Sequence, residues 1–123
     1  MSKRENKISG NRGERAAEQY LRKNGYRILA RNFTTDTGEL DLVATDDAYL
    51  VFVEVKSRMS DDFGAPSEAV NFAKQRKLSM VASQYIEKNM LFGAPARFDV
   101  IEVRLDTGKI EHIQNAFDSY LRY

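Results

Sequence analysis

Apolar residues recur along this chain at two spacings, one helical and one extended. Between Asn11 and Asn24, Ala17, Tyr20 and Leu21 share a helical stripe, and Asn24-Gly25 supplies a C-terminal stop. Tyr26–Phe33 (YRILARNF), ELDLVAT from Glu39, YLVFVEVK from Tyr49 and RFDVIEVRL from Arg97 alternate or run apolar as strands do. Gly38 breaks the chain before ELDLVAT, and Asp46-Asp47 reads as the turn of a β-hairpin. A loop, MSDDFGAP, precedes the longest helical stretch, Ser67–Glu87, which has Val70, Lys74, Leu78, Val81 and Tyr85 on one stripe and a separate short turn as an alternative start before Asn71. Asp106-Thr107-Gly108 then turns the chain into KIEHIQ, followed by a short helical piece, NAFDSYLRY. The opening residues carry charge without apolar periodicity and read as a mobile basic arm over 1–9, leaving a single domain over 10–123.

The resulting order is α-β-β-β-α-β-β. A hairpin strand, a long helix and another strand form a right-handed crossover between parallel neighbours, while the earlier strands pair antiparallel. The fold class this predicts is α/β, a mixed sheet flanked by helices.

Composition narrows the chemistry. The chain has 123 residues, no cysteine and one histidine, which excludes disulfides, thiolate nucleophiles and multi-histidine zinc sites. Carboxylates, lysines, arginines and hydroxyls remain, a palette suited to a hard cation such as Mg²⁺ or Mn²⁺. No apolar run approaches the length of a membrane span and the N-terminus lacks a secretory core, so a soluble cytoplasmic protein without a membrane partner is expected. The net charge of +1 is neutral on nucleic-acid binding, which local charge must decide.

Strand parity places the charges. In YLVFVEVKSR, Val51, Val53 and Val55 share one face, and Phe52, Glu54, Lys56 and Arg58 share the other. A two-residue turn at Asp46-Asp47 pairs Thr45 with Ala48 and sets Asp41 opposite Phe52, diagonal to Glu54 and on the same face. A four-residue loop preserves that face; a three-residue loop inverts it. Two carboxylates so placed can bind a hard cation and leave room for water and a phosphate oxygen, with Lys56 beside the nucleophile. The alternative is a solvated strand face, since D…ExK arises by chance in a chain with 30% charged residues. Against it stands the apolar character of the rest of the strand, which makes charge there costly without a purpose. Glu14 and Lys74 also fall on apolar stripes, pointing inward, although a helix-terminal acid and a snorkelling lysine would look the same.

The motifs GNRGERAAEQYL (10–21), GELDLVA (38–44), VFVEVKSR (51–58), FGAPSEAV (63–70), RFDVIEV (97–103) and HIQNAF (112–117) together resemble the small bacterial YraN-like proteins. That uncharacterised family is assigned to the restriction-endonuclease-like, PD-(D/E)xK superfamily, which includes Holliday-junction resolvases. The resemblance implies an αβββαβ core, Asp41 as the motif aspartate and Glu54-Val55-Lys56 as the ExK element, with Val55 lending its carbonyl to a metal. It also puts Glu14 where resolvase-like members carry an acidic residue on the first helix, and Lys74 on the helix after the motif, where relatives often carry a lysine or glutamine. The chain departs from the motif in carrying Gly38-Glu39 in place of a literal Pro-Asp.

The expected function is therefore a Mg²⁺- or Mn²⁺-dependent nuclease acting on DNA, including branched or recombination intermediates. Asp41, Glu54, Lys56 and Glu14 would be catalytic, and Asp41, Glu54 and Val55 would bind metal. Arg12, Arg15, Arg58, Lys74 and Lys77 would contact nucleic acid, joined by Lys3, Arg4 and Lys7 of the arm. A resolvase activity would imply a homodimer, for which the sequence marks no face. The rival readings are a non-catalytic nucleic-acid-binding module on the same fold and an adaptor that uses a sheet edge. His112 is read as a polar strand residue without a partner, Asp99 as structural and pairing with Arg97 or a helix cation, and Tyr20, Tyr26, Phe33 and Tyr85 as core.

Overall fold

LVFVEVKSR becomes the central strand because its first half is apolar on both faces and can be covered from both sides. The computed structural model describes residues 3–59 and 71–117, with side chains from residue 12 onward. Its elements are α1 (Lys3–Lys23), β1 (Arg27–Thr34), β2 (Glu39–Thr45), β3 (Leu50–Arg58), α2 (Phe72–Lys88), β4 (Ala96–Arg104) and β5 (Ile110–Phe117). The strands form one mixed sheet in the order β1-β2-β3-β4-β5. β3 and β4 run parallel, in register from Leu50↔Ala96 to Arg58↔Arg104, and every other pairing is antiparallel. This is the α/β arrangement expected, consistent with a restriction-endonuclease-like core.

Each face of the sheet has its own helix. Ala17 and Leu21 of α1 pack on Val51, Val53 and Ile101, while Leu78, Val81 and Tyr85 of α2 pack on Phe52, Phe98 and Val100. Tyr26 and Tyr85 are buried, and Phe33 meets Tyr85 edge-on, so these aromatics are core. Gly25, at φ +88°, ends α1, and the Tyr26 amide returns to the Leu21 carbonyl at 3.0 Å. Asn71 opens α2 by accepting the Lys74 amide at 2.9 Å. No helix among the described residues is long and apolar enough to cross a membrane.

Two boundaries differ from the sequence reading. α1 begins at Lys3 and not at Asn11, so residues 3–9 are helical backbone where an arm was expected. Lys, Arg and Glu are good helix formers and extend a helix without an apolar stripe to announce it. The side chains of Lys3, Arg4 and Lys7 lie outside the described residues, as do FGAPSEAV and the expected start of α2. β5 continues through Asn115 and Phe117 instead of yielding to a helix at Asn115. Asn115 adopts φ +51° and gives its amide to Asp99 at 2.9 Å, and Phe117 stacks on Phe98 at 4.8 Å. The remainder of NAFDSYLRY lies outside the described residues.

Asp99 is fully buried and ties these elements together. Arg97 Nε donates to it at 3.1 Å, and His112 Nε2 lies 2.7 Å from its other oxygen. His112 Nδ1 meets the Tyr20 hydroxyl of α1 at 3.0 Å, and Arg97 donates to the Tyr26 hydroxyl at 2.6 Å. Asp99 is thus structural and paired with Arg97, as expected. The histidine is not without partners, since a strand and a helix distant in sequence supply one on each ring nitrogen. Burial pushes the Asp99 carboxyl up, yet His112, Asn115 and Arg97 outweigh it and hold the group below the usual carboxylate range. Asp99→Ala would strand a buried guanidinium and imidazole, and should cost about 3 kcal/mol in urea unfolding at neutral pH. Because the native carboxyl ionises at lower pH than the unfolded one, that loss should shrink as the solution is acidified.

Candidate active site

The β2–β3 turn decides where Asp41 lies. The Asp46 carboxylate accepts the amides of Ala48 and Tyr49 at 3.0 and 2.7 Å, which builds a wider loop than the expected two residues. Thr45 pairs with Leu50, not Ala48, and the ladder ends at Leu42↔Val53. The shift is even, so Asp41 keeps its face, but it moves along the strand. One step beyond the last ladder pair, Asp41 and Glu54 stand opposite each other instead of diagonally.

There the backbone ladder is replaced by a side chain. Asp41 Oδ2 accepts the Val55 amide at 2.8 Å. In an extended strand a residue's N–H and C=O project to the same edge, so the Val55 carbonyl shares the edge that Asp41 occupies. Glu54 is buried, at 9% exposure, and two lysines converge on its Oε1. Lys74 Nζ donates to it at 2.9 Å, and Lys56 Nζ lies at 3.9 Å. Burial and the ammonium of Lys74 push the Lys56 pKa down. Burial works in the same direction on Lys74, but its hydrogen bond to Glu54 prevails and its pKa is raised.

Glu14 arrives from the other side of the sheet end because Gly13 allows α1 to sit directly on β3. A Cβ at Gly13 would fall on the Ser57 hydroxyl, with the Ser57 Cβ only 3.2 Å away. Half-buried Glu14 lies beside Asp41, and burial together with the charges of Glu39 and Glu54 raises its pKa. Asp41 feels the crowding most: burial first, then the charges of Glu54, Glu14 and Glu39, push it up to about 7 despite the Val55 hydrogen bond.

Asp41 is the wall between two cavities. One, of about 210 Å³, is lined by Glu39, Asp41, Glu54, Lys74 and Lys77 above Leu78 and Val81. The other, of about 270 Å³, lies on the α1 side between Glu14, Arg15, Glu18, Arg31 and Asn32. Thus Asp41, Glu54, Lys56, Glu14, Lys74 and Lys77 are brought together, with Arg15 at the second mouth and exposed Arg12 beside it on α1. Arg58 is not brought there: it is 13% exposed and paired with Glu102 at 2.7 Å, one strand over. Sequence reasoning passed over Glu39 as a member of the site, although its face, shared with Asp41, was the available signal. Arg31, held by Glu18 at 2.6 Å, is set by tertiary packing and had no such signal.

Whether these residues fit a divalent cation can be asked of the donors themselves. All are oxygens, and burial together with the opposed Glu54 carboxylate raises the Asp41 pKa. Among the described residues, no three or more carboxylate and histidine side chains are gathered closely enough to hold a metal ion by themselves. Two carboxylates with a backbone carbonyl, other positions going to water and phosphate, is the donor pattern Mg²⁺ tolerates. In donor type the set fits.

The family model for "Uncharacterised protein family UPF0102" matches residues 13–103. The chain belongs to UPF0102. It is 49% identical over 116 residues to a UPF0102 protein of Clostridium acetobutylicum, covering 91% of this chain and 95% of that one. A UPF0102 protein of Caldanaerobacter subterraneus subsp. tengcongensis is 47% identical over 122 residues, covering 95% and 100%. Among solved structures the chain is similar to Pyrococcus furiosus SfsA in complex with Ca²⁺, at 16% identity and a TM-score of 0.36, covering 89% of this chain and 63% of that chain. The UPF0102 matches agree with the YraN-like motifs read from the sequence, and the matched span contains every site residue named above except Arg12.

The crowding at Asp41 has a consequence for stability. A native carboxyl raised to about 7 holds its proton where the unfolded chain, near 3.8, has lost it. Stability should therefore fall as pH rises from about 4 to about 7, and stay lowered above. Asp41→Asn keeps the acceptor for Val55 and removes the charge. Urea unfolding should show that slope flattened and the variant more stable at pH 8 by about 2 kcal/mol, half of what a three-unit shift would carry, because the pocket is open to water.

Proposed function

We propose that this protein is a divalent-cation-dependent nuclease that hydrolyses phosphodiester bonds in DNA, branched intermediates included. The observation that carries the reading is the convergence of Asp41, Glu54 and Lys56 at one sheet end, where burial and then the Glu54 carboxylate raise the Asp41 pKa to about 7. Asp41, Glu54 and the Val55 carbonyl would hold Mg²⁺ or Mn²⁺. Such a cation, when bound, acidifies water and offsets charge building on phosphorus.

The chain's own groups do the remainder. Lys56, with its lowered pKa, gives up a proton more readily than an ordinary lysine and stands beside Glu54, where it can orient or deprotonate an attacking water. Glu14, beside Asp41, supplies a further acidic group. Lys77, Arg15 and Arg12, exposed around the cavity mouths, supply phosphate contacts that position a strand without reading its sequence.

A second reading is favoured by one observation: among the described residues no three acidic side chains stand closely enough to hold a metal ion. On that reading the same surface binds nucleic acid without cutting it.

Fluorescent linear, flapped and four-way DNA incubated with Mg²⁺ or Mn²⁺ separates the two. Cleavage is expected, reduced by about 10²-fold or more in Asp41→Ala and Lys56→Ala, the scale of losing a general base or an electrostatic stabiliser. No cleavage of any substrate, or cleavage undiminished in both variants, overturns the nuclease. Salt-sensitive binding that persists in EDTA without turnover establishes the binding module.

A further inference from the structure

Lys74 occupies an unusual place for a lysine. It lies in the first turn of α2, a turn without acidic residues, where the helix dipole disfavours a cation. Its backbone is pinned there by the Asn71 cap. From that position its side chain reaches back to the sheet and places Nζ 2.9 Å from Glu54 Oε1, within hydrogen-bond range. Lys56, at 3.9 Å from the same oxygen, is beyond that range. Glu54 is therefore neutralised chiefly by a tethered ammonium from the opposite layer. The Lys74 side chain is 36% exposed and lines the same cavity as Asp41 and Lys77, so its ammonium can turn toward an incoming anion without leaving the site.

We propose that Lys74 is an exchangeable counter-ion. It neutralises Glu54 in the metal-free protein, yields Oε1 to a divalent cation, and then pairs with a phosphate of the substrate. This rests on reading Asp41 and Glu54 as the metal-binding pair. Exchange replaces one positive charge at Glu54 by two and leaves the lysine's own charge unspent, so the cavity gains two positive charges. Metal and polyanion then bind with positive coupling, and by reciprocity each raises the affinity for the other.

The test measures binding on the full chain. Mn²⁺ affinity is measured by calorimetry without DNA, and binding of a fluorescent duplex is measured with and without Ca²⁺, for the native chain, Lys74→Gln, Lys77→Gln and Asp41→Ala. Lys77 lines the same cavity and carries the same charge but is not bonded to Glu54, so Lys77→Gln isolates the general electrostatic effect. Lys74→Gln should tighten Mn²⁺ binding about 5- to 10-fold and reduce the Ca²⁺ enhancement of DNA binding by a similar factor, the scale of an ordinary coupling between sites. Lys77→Gln should weaken DNA binding and leave Mn²⁺ affinity within about twofold. Equal effects of the two variants on Mn²⁺ affinity, weaker Mn²⁺ binding in Lys74→Gln, or an unchanged Ca²⁺ enhancement would each overturn the exchange. Should the native chain bind no Mn²⁺, or bind it equally well as Asp41→Ala, the metal site itself fails and the exchange with it. Asp41-dependent binding that is indifferent to Lys74 overturns the exchange alone.

Discussion

Two carboxylates facing each other across adjacent strands raise the free energy of a fold unless positive charge lies between them. The end of the β2–β3 ladder is arranged around that constraint. Asp41 stops the backbone pairing and takes the Val55 amide with its side chain, and Glu54 draws Lys74 from α2 and Lys56 from its own strand. Glu14, delivered by the close seat of Gly13 on Ser57, adds to the repulsion. The apolar layers on both faces of β3 offset this local cost.

Asp99 and Asp41 make an instructive pair, because both are acids on strands of the same small sheet. Asp99 is fully buried but has an arginine, an imidazole and a backbone amide around it, and its pKa is lowered. Asp41 is desolvated too, has one backbone donor and three acidic neighbours, and its pKa is raised. Burial alone does not separate them; the sign of the surrounding charge does. A satisfied acid locks α1, β4 and β5 together, and an unsatisfied one lies where the proposed function needs a cation. The two are linked through α1, since Tyr20, held by His112, and Glu14, beside Asp41, lie on one helix.

How far the site could be read beforehand follows from which distances are local. The alternation of VFVEVKSR puts Glu54 and Lys56 on one face whatever surrounds them, and the 4-residue period of α2 aims Lys74 at the same layer. The hairpin carried Asp41 to that face through any even loop, so a wrong turn length left the face right and only the partner wrong. Arg58 shows the opposite outcome. Its parity was right, yet Glu102, its ion-pair partner, comes from a strand more than forty residues away in sequence. His112 went unpartnered for the same reason, because Asp99 and Tyr20 meet it only in the folded chain.

The sequence by itself determined the elements of the core, the central and parallel place of β3, and the face on which each charged side chain lies. These depend on periodicity, and periodicity is local. Tertiary structure decided the charges' partners: Lys74 with Glu54, Glu14 with Asp41, Arg58 with Glu102, and Asp99 with His112. Coulomb and hydrogen-bond energies depend on distances of a few ångströms between residues far apart in the chain, and only packing sets those distances.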